Sequence, residues 1–244
     1  KDKKSGSPKA ILRQFLAEEN IPEVNRLMQE MQPWGTSGSA WLLNPNGGYN
    51  FALTPFTTIL FLFDDKPKIL YPETKKHLLE VLLINEGGDF SDAVPNMLGR
   101  VKDSENHILM AQGSKYLKNH YMWLHGKRDE KYNNLTNGME EGILNLLNEH
   151  KELGLYEFNS VPYSAYAITP LLNLEAFGSD AVQKSARDVL DYICFTYALG
   201  SYNFKYYPPF RRRLDRHKTT SLSKDYETVF MKSWLSFHPE INYN

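Results

Sequence analysis

A single cysteine, Cys194, stands among the 244 residues, so no intrachain disulfide can staple the fold. It falls inside an apolar helical pattern and reads as inert packing; with no paired cysteines, secretion is neither demanded nor excluded. No apolar run approaches the roughly 18 residues of a membrane span, and the longest, Ile59–Phe63, reads as core. The seven histidines are scattered, with no His-x-x-x-His or His-Glu-x-x-His spacing, so no metal site is expected. Phosphate loops, dinucleotide fingerprints and Gly-x-Ser-x-Gly elbows are also missing, and no cofactor is expected. A formal net charge of −1 with 23% charged residues gives no nucleic-acid footprint. No segment alternates with period two for long, and no hairpin turn joins two such segments.

What the chain does have is helical periodicity and aromatic residues, 13% of the total. Aromatic rings fill cores first, but Tyr and Trp also line carbohydrate clefts, offering a flat apolar face and a polar tip. The length suffices for one large domain. Residues 1–244 read as one all-α domain of antiparallel helical hairpins, with 1–8 a polar, flexible N-terminal end. That end, Lys1-Asp-Lys-Lys-Ser-Gly-Ser-Pro8, lacks the apolar region of a signal peptide and is consistent with trimming after a leader.

Ser7-Pro8 predicts a helix start, N-cap then N1, leading through Ile11, Phe15 and Leu16. After Pro22 a second segment carries Val24, Leu27, Met28 and Met31 at helical spacing and stops before Pro33-Trp34-Gly35. A Gly-, Ser- and Asn-rich loop runs to Asn50; its Trp34, Trp41 and Tyr49 suit either a sugar platform or hydrophobic anchoring of the loop. Phe51–Phe63 reads as helix. Tyr71-Pro-Glu-Thr74 opens the next, with Leu78, Leu79 and Leu82 inward and His77 on a solvated flank.

Asp103-Ser104 predicts the cap of a central helix. Its stripe at 106, 109, 113, 116, 117, 120 and 124 reads Asn, Leu, Gly, Tyr, Leu, His, Leu. Further helices are expected over Leu135–His150, from the pair Thr169-Pro170 to Phe177, from Ser179 to Gly200, and around Asp225–Phe237. Residues 201–222 read as loop.

Three constellations carry chemistry. Glu105-Asn106-His107 places a carboxylate, an amide and an imidazole in one turn at a helix N-terminus, where the dipole disfavours added positive charge and so suits a neutral ring. On spacing alone the same trio is also a capping cluster with His107 at the surface. Tyr163 and Tyr166 follow in the polar knot Glu157-Phe-Asn-Ser-Val-Pro-Tyr-Ser-Ala-Tyr166. A phenol at an open helix end can move a proton if cations or amides lower its pKa from about 10; equally, both rings can fill core. Arg211, Arg212, Arg213, Arg216, His217 and Lys218 follow Tyr202, Phe204, Tyr206 and Tyr207. That mixture suits an acidic glycan, or else a solvated loop.

Taken together, Ser104-Glu-Asn-His107, Asn159-Ser-Val-Pro-Tyr-Ser-Ala-Tyr166 and Leu171-Leu-Asn-Leu-Glu-Ala-Phe177 resemble the (α/α) toroid proteins, which include six-hairpin glycosidase-like proteins and uronate polysaccharide lyases. The likeness spans roughly residues 70–220. It implies either an incomplete (α/α) toroid or a fragment of a longer protein, since the chain supplies about four helix pairs, fewer than a complete ring, and it implies a polysaccharide lyase acting by β-elimination on uronate glycans. In the lyases an Asn-His pair and a later Tyr form the site, and here Tyr163 lies 56 positions after His107. By that resemblance Asn106 helps neutralise the uronate carboxylate, His107 acts as base or its helper, and Tyr163 moves the proton. Glu105, Asn159, Tyr166, Trp41, Arg100, Arg211, Arg213 and His217 are the expected substrate-binding residues. The chain departs from the pattern in having no Arg just upstream of Tyr163; Arg100 or the 211–216 cluster would have to pair the carboxylate. A poly- or oligosaccharide partner and a periplasmic or extracellular location follow from the same resemblance. A glycoside hydrolase, with Glu105 and Glu157 as the obvious carboxylate pair, and a non-catalytic binding module are the alternatives.

Overall fold

The computed structural model describes residues 6–33, 48–93, 102–160, 163–207 and 226–236. It is mostly helical. In order come α1 (Pro8–Leu16), α2 (Ile21–Glu30), α3 (Asn50–Phe63), α4 (Pro72–His77, continued by a π turn over Leu78–Leu82), α5 (Glu105–Leu124), α6 (Met139–Leu153), α7 (Ser164–Phe177), α8 (Asp180–Gly200) and α9 (Tyr226–Ser236). Ser7 caps α1 through Ala10 N–H, with Pro8 at the first position, the pre-organised start that an N-cap and N1 proline provide.

The polarity of the helices follows from cross-contacts. Along α3, Asn50 meets His107, Thr54 and Thr58 meet Asn173, and Phe61 meets both Tyr121 and Phe177. Positions therefore advance together in α3, α5 and α7, which run parallel. So does α1, with Lys9 over Tyr166 and Phe15 against Phe63. The intervening helices return the other way. Glu140 meets Tyr116 while the backbone of Tyr156 and Glu157 meets Glu105, which makes α6 antiparallel to α5. Glu140–Ser179 and Lys151–Asp188 set α8 alongside α6. Asn25 and Gln29 of α2 bond Ile69, Tyr71 and Thr74 around α4. Two sets result: α1, α3, α5 and α7 point one way, and α2, α4, α6 and α8 point back.

Two apolar clusters fill this arrangement. One joins α5 to α8 with Tyr206 and Met231, and the other joins α1 to α4 with Tyr121, Met122 and Tyr132. Phe61 packs on both, stacked on Phe177 with ring centroids 4.7 Å apart. Because α5 is enclosed on most sides, polar residues off its apolar stripe are buried too. Lys118, 3% exposed, donates to the Leu83 carbonyl at 2.7 Å and pairs with Glu86 at 2.8 Å. Asn119 closes on both backbone groups of Gly87. A buried ammonium is tolerated only with such partners.

Several expectations are corrected. Thr169-Pro170 does not open a helix: α7 begins five residues earlier, at Ser164, and runs through Pro170. The proline removes one i→i−4 bond, so Tyr166 cannot receive the usual N–H from position 170, while Thr169 Oγ1 donates to Ala165 O at 2.7 Å and the buried face holds the helix together. Residues 201–206 are not plain loop but a short hairpin, Ser201–Tyr202 with Lys205–Tyr206; Asn203 and Phe204 take positive φ, the left-handed pair a tight hairpin turn needs. His77 is not merely solvated: its Nε2 lies 2.9 Å from the Met31 carbonyl. Leu124 is 60% exposed, because α3 and α7 have ended where the stripe reaches it, and α6 starts at Met139, leaving Leu135 exposed.

Candidate functional site

The common polarity of α1, α3, α5 and α7 brings their first turns to one end of the molecule. Asn50 opens α3, Glu105-Asn106-His107 opens α5, Tyr163 is the N-cap of α7, and Lys9 is in the first turn of α1. Aligned N-terminal turns add partial positive charge at this end, which favours an anionic group.

The first turn of α5 is wired internally. Ser104, the N-cap, makes no capping bond; its hydroxyl donates instead to Asn106 Oδ1 at 2.6 Å. The His107 backbone N–H reaches the same oxygen at 2.9 Å. Asn106 is 1% exposed, and its Nδ2 has no hydrogen-bond partner among the described residues. A buried amide donor without a partner costs about 1–3 kcal/mol, which marks a place where a ligand acceptor would be stabilising. His107 Nδ1 lies 2.6 Å from Asn50 Nδ2, and Asn50 Oδ1 is buried with no partner among the described residues.

A string of rings leads from His107 to the tyrosines. Phe51 meets His107 edge-on at 5.2 Å and Tyr166 edge-on at 4.6 Å, and Tyr166 meets Tyr163 at 6.3 Å, centroid to centroid. Lys9 Nζ stands 4.4 Å over the Tyr166 ring; partial desolvation lowers its pKa. Asn106, His107, Tyr163 and Tyr166 thus gather at one end, joined through Phe51.

Glu105 has another engagement. Its two oxygens accept the backbone N–H groups of Tyr156 (2.7 Å) and Glu157 (2.8 Å). Burial is the largest influence on the carboxyl and pushes its pKa up to about 7, with the neighbouring Glu157 and Glu149 adding to the rise against these N–H groups and Lys102. Asn159, in the left-handed region at φ 52°, lines a cavity of about 480 Å³ with Glu157, Ser164, Tyr192, Tyr206 and Glu227. Trp41, Arg100, Arg211, Arg213 and His217 lie outside the described residues.

Among the described residues no cluster of His, Cys, Asp and Glu is arranged to hold a metal ion. No helix among them is long and apolar enough to cross a membrane. His120 lies partly buried against Tyr116, rings parallel at 6.0 Å, and desolvation lowers its pKa. Cys194 is half-buried, its thiol pushed up to about 11 chiefly by desolvation.

Sequence reasoning missed Asn50, Phe51 and Lys9. Asn50 closes the loop before α3 and carries a polar side chain at a helix start, a local signal that was present. Nothing in spacing connects position 50 with position 107, and only the packing of α3 on α5 does so. The chain matches no protein-family model, no curated protein and no solved structure.

Proposed function

We propose that this protein acts on carbohydrate as a polysaccharide lyase-like enzyme, cleaving uronate-containing glycans by β-elimination on an incomplete (α/α) toroid. The observation that carries the reading is the buried Nδ2 of Asn106, without a partner among the described residues, at the end where four parallel helices begin. His107 follows Asn106 in the chain, and the rings of Phe51, Tyr166 and Tyr163 lead on from His107 in that order. A uronate carboxylate accepting from such donors loses charge density, and the C–H next to it becomes more acidic. A base then takes that proton, the electron pair forms the C=C bond, and the glycosidic C–O bond breaks. The leaving oxygen takes up a proton. Asn106 is assigned to the carboxylate, and His107 and Tyr163 to the proton transfers.

The alternation of inner and returning helices supports the toroid reading. The direct contact of α3 with α7 through Asn173 and Phe177 fits a tightly closed ring within that reading. The hydrolase alternative needs two carboxylates free to face a glycosidic bond, and both oxygens of Glu105 already accept backbone N–H groups. Export to the periplasm or beyond the cell accompanies the lyase proposal.

The test is incubation with alginate, hyaluronan, chondroitin and heparin while following the ultraviolet absorbance of the unsaturated uronyl product. A rise with at least one, abolished in His107→Ala and in Tyr163→Phe, is the expected result. New reducing ends without absorbance would replace the lyase with a hydrolase. Binding without either product would make the protein a glycan-binding module.

A further inference from the structure

We propose that Asn50 is a positioning residue: its side-chain amide donates to Nδ1 of His107 and fixes the neutral imidazole as the tautomer that carries its proton on Nε2. The 2.6 Å contact joins Asn50 Nδ2 and His107 Nδ1. An amide nitrogen is a donor only, so the ring nitrogen facing it must accept, and in a neutral ring the other nitrogen then bears the hydrogen.

Both partners are held in place. Asn50 is the first residue of α3, and the preceding Tyr49 buries its ring and donates its hydroxyl to the Leu82 carbonyl at 2.8 Å. The His107 ring is braced by the Phe51 edge, and its backbone by Asn106 Oδ1. Protonating Nδ1 would require the amide to turn its Oδ1 toward the ring. The bond spans 57 residues of sequence, so the state of His107 depends on how α3 docks against α5.

The catalytic consequence rests on the lyase reading. A ring fixed in this way enters the reaction as a hydrogen-bond donor at Nε2, and removal of the C–H proton falls to Tyr163. The tautomer itself does not rest on that reading.

The experiment is long-range ¹H–¹⁵N correlation spectroscopy on the full chain labelled with ¹⁵N-histidine, with His107 assigned from its loss in His107→Gln. At neutral pH the wild-type ring is expected as the Nε2–H tautomer. In Asn50→Asp the new carboxylate can only accept, so the ring switches to Nδ1–H; an acidic residue in the first turn of α3 suits the helix dipole. On a polyuronate that the wild type cleaves, this variant is expected to lose about tenfold or more in turnover. A wild-type His107 found as Nδ1–H, or an unchanged tautomer in a folded Asn50→Asp, overturns the proposal. A wild-type Nδ1–H signal overturns the proposal even if that variant fails to fold. Asn50→Leu, which removes the donor without adding an acceptor, is then expected to show a mixture of tautomers; a ring still wholly Nε2–H there overturns the proposal as well. The expected tautomers without cleavage of any polyuronate would leave the Asn50 assignment standing and remove the lyase reading.

Discussion

Glu105 accepts the backbone N–H of Tyr156 at 2.7 Å, and with the companion bond from Glu157 it ties the first turn of α5 to the chain leaving α6. The two polar stretches that flank the candidate site are thereby fastened by a carboxylate acting on backbone rather than on substrate. The bond also sets the direction in which the chain leaves α6 toward α7, and so where Tyr163 stands.

A pH dependence follows. The Glu105 carboxyl titrates near 7 in the folded protein, against 4.5 when unperturbed. Its folded pKa is raised, so the folded state holds the proton more tightly. The associated stability is full below pH 4.5 and is lost as pH rises through about 7. The loss is on the order of 2–3 kcal/mol. Urea unfolding midpoints at pH 5 and pH 8 should show it, and Glu105→Gln should flatten the difference. An unchanged slope in that variant would move the effect to another group.

His150 of α6 has the opposite sign. It is buried, its Nε2 has no partner among the described residues, and desolvation holds its pKa down at about 4, against 6.5 unperturbed. Its contribution is present above pH 6.5 and is lost as pH falls through about 4. Replacement by Leu should raise stability at pH 5 relative to pH 8, by up to about 2 kcal/mol of differential effect. Guanidinium titrations of both proteins at both pH values check this. A uniform loss at the two values would count against it.

The helical class and most helix positions were legible because apolar spacing, caps and prolines agree locally. Ser7-Pro8 and Ser179 both cap as their residue types require. Pro170 misled because a helix can absorb a proline when tertiary packing outweighs one lost hydrogen bond. The burial of Lys118 and Asn119 was hidden, since an amphipathic reading assumes one wet face and α5 is covered on more than one side. In the site, Asn106 and His107 were visible as a local polar cluster. Their joining to Tyr166 through Phe51 depends on helix packing, which short-range spacing does not encode.

Two glycines in helices should respond oppositely to the same substitution. Glycine within a helix costs roughly 0.5–1 kcal/mol relative to alanine. At Gly113 of α5 a Cβ would rest 3.7 Å from Leu174, an ordinary contact, so Gly113→Ala should stabilise by about that amount. At Gly142 of α6 it would lie 2.3 Å from the Cβ of Phe90, and Gly142→Ala should destabilise by about 1–3 kcal/mol. Combining Gly142→Ala with Phe90→Gly, which removes the Cβ that the new methyl meets, should recover the helix-propensity gain, measured as the coupling in a double-mutant cycle.

The tie between α3 and α7 offers a test that reaches from packing to the site. Asn173 Nδ2 donates to the Thr54 carbonyl at 3.1 Å, and its Oδ1 accepts from the Thr58 hydroxyl at 2.9 Å. Asn173→Leu keeps a similar volume but leaves the Thr54 carbonyl without that donor, in a buried position. The expected cost is about 1–3 kcal/mol, read from thermal or urea unfolding. Asn173→Asp should cost more, because a carboxylate oxygen would face the same carbonyl. Asn173 lies two helical turns beyond Tyr166 on α7, so loosening it frees α7 to shift against α3, where Phe51 packs on Tyr166 and His107. The His107 tautomer signal in Asn173→Leu should therefore stay as in the wild type if Asn50 alone holds the ring. A mixed signal would show that the α3–α7 tie is also required.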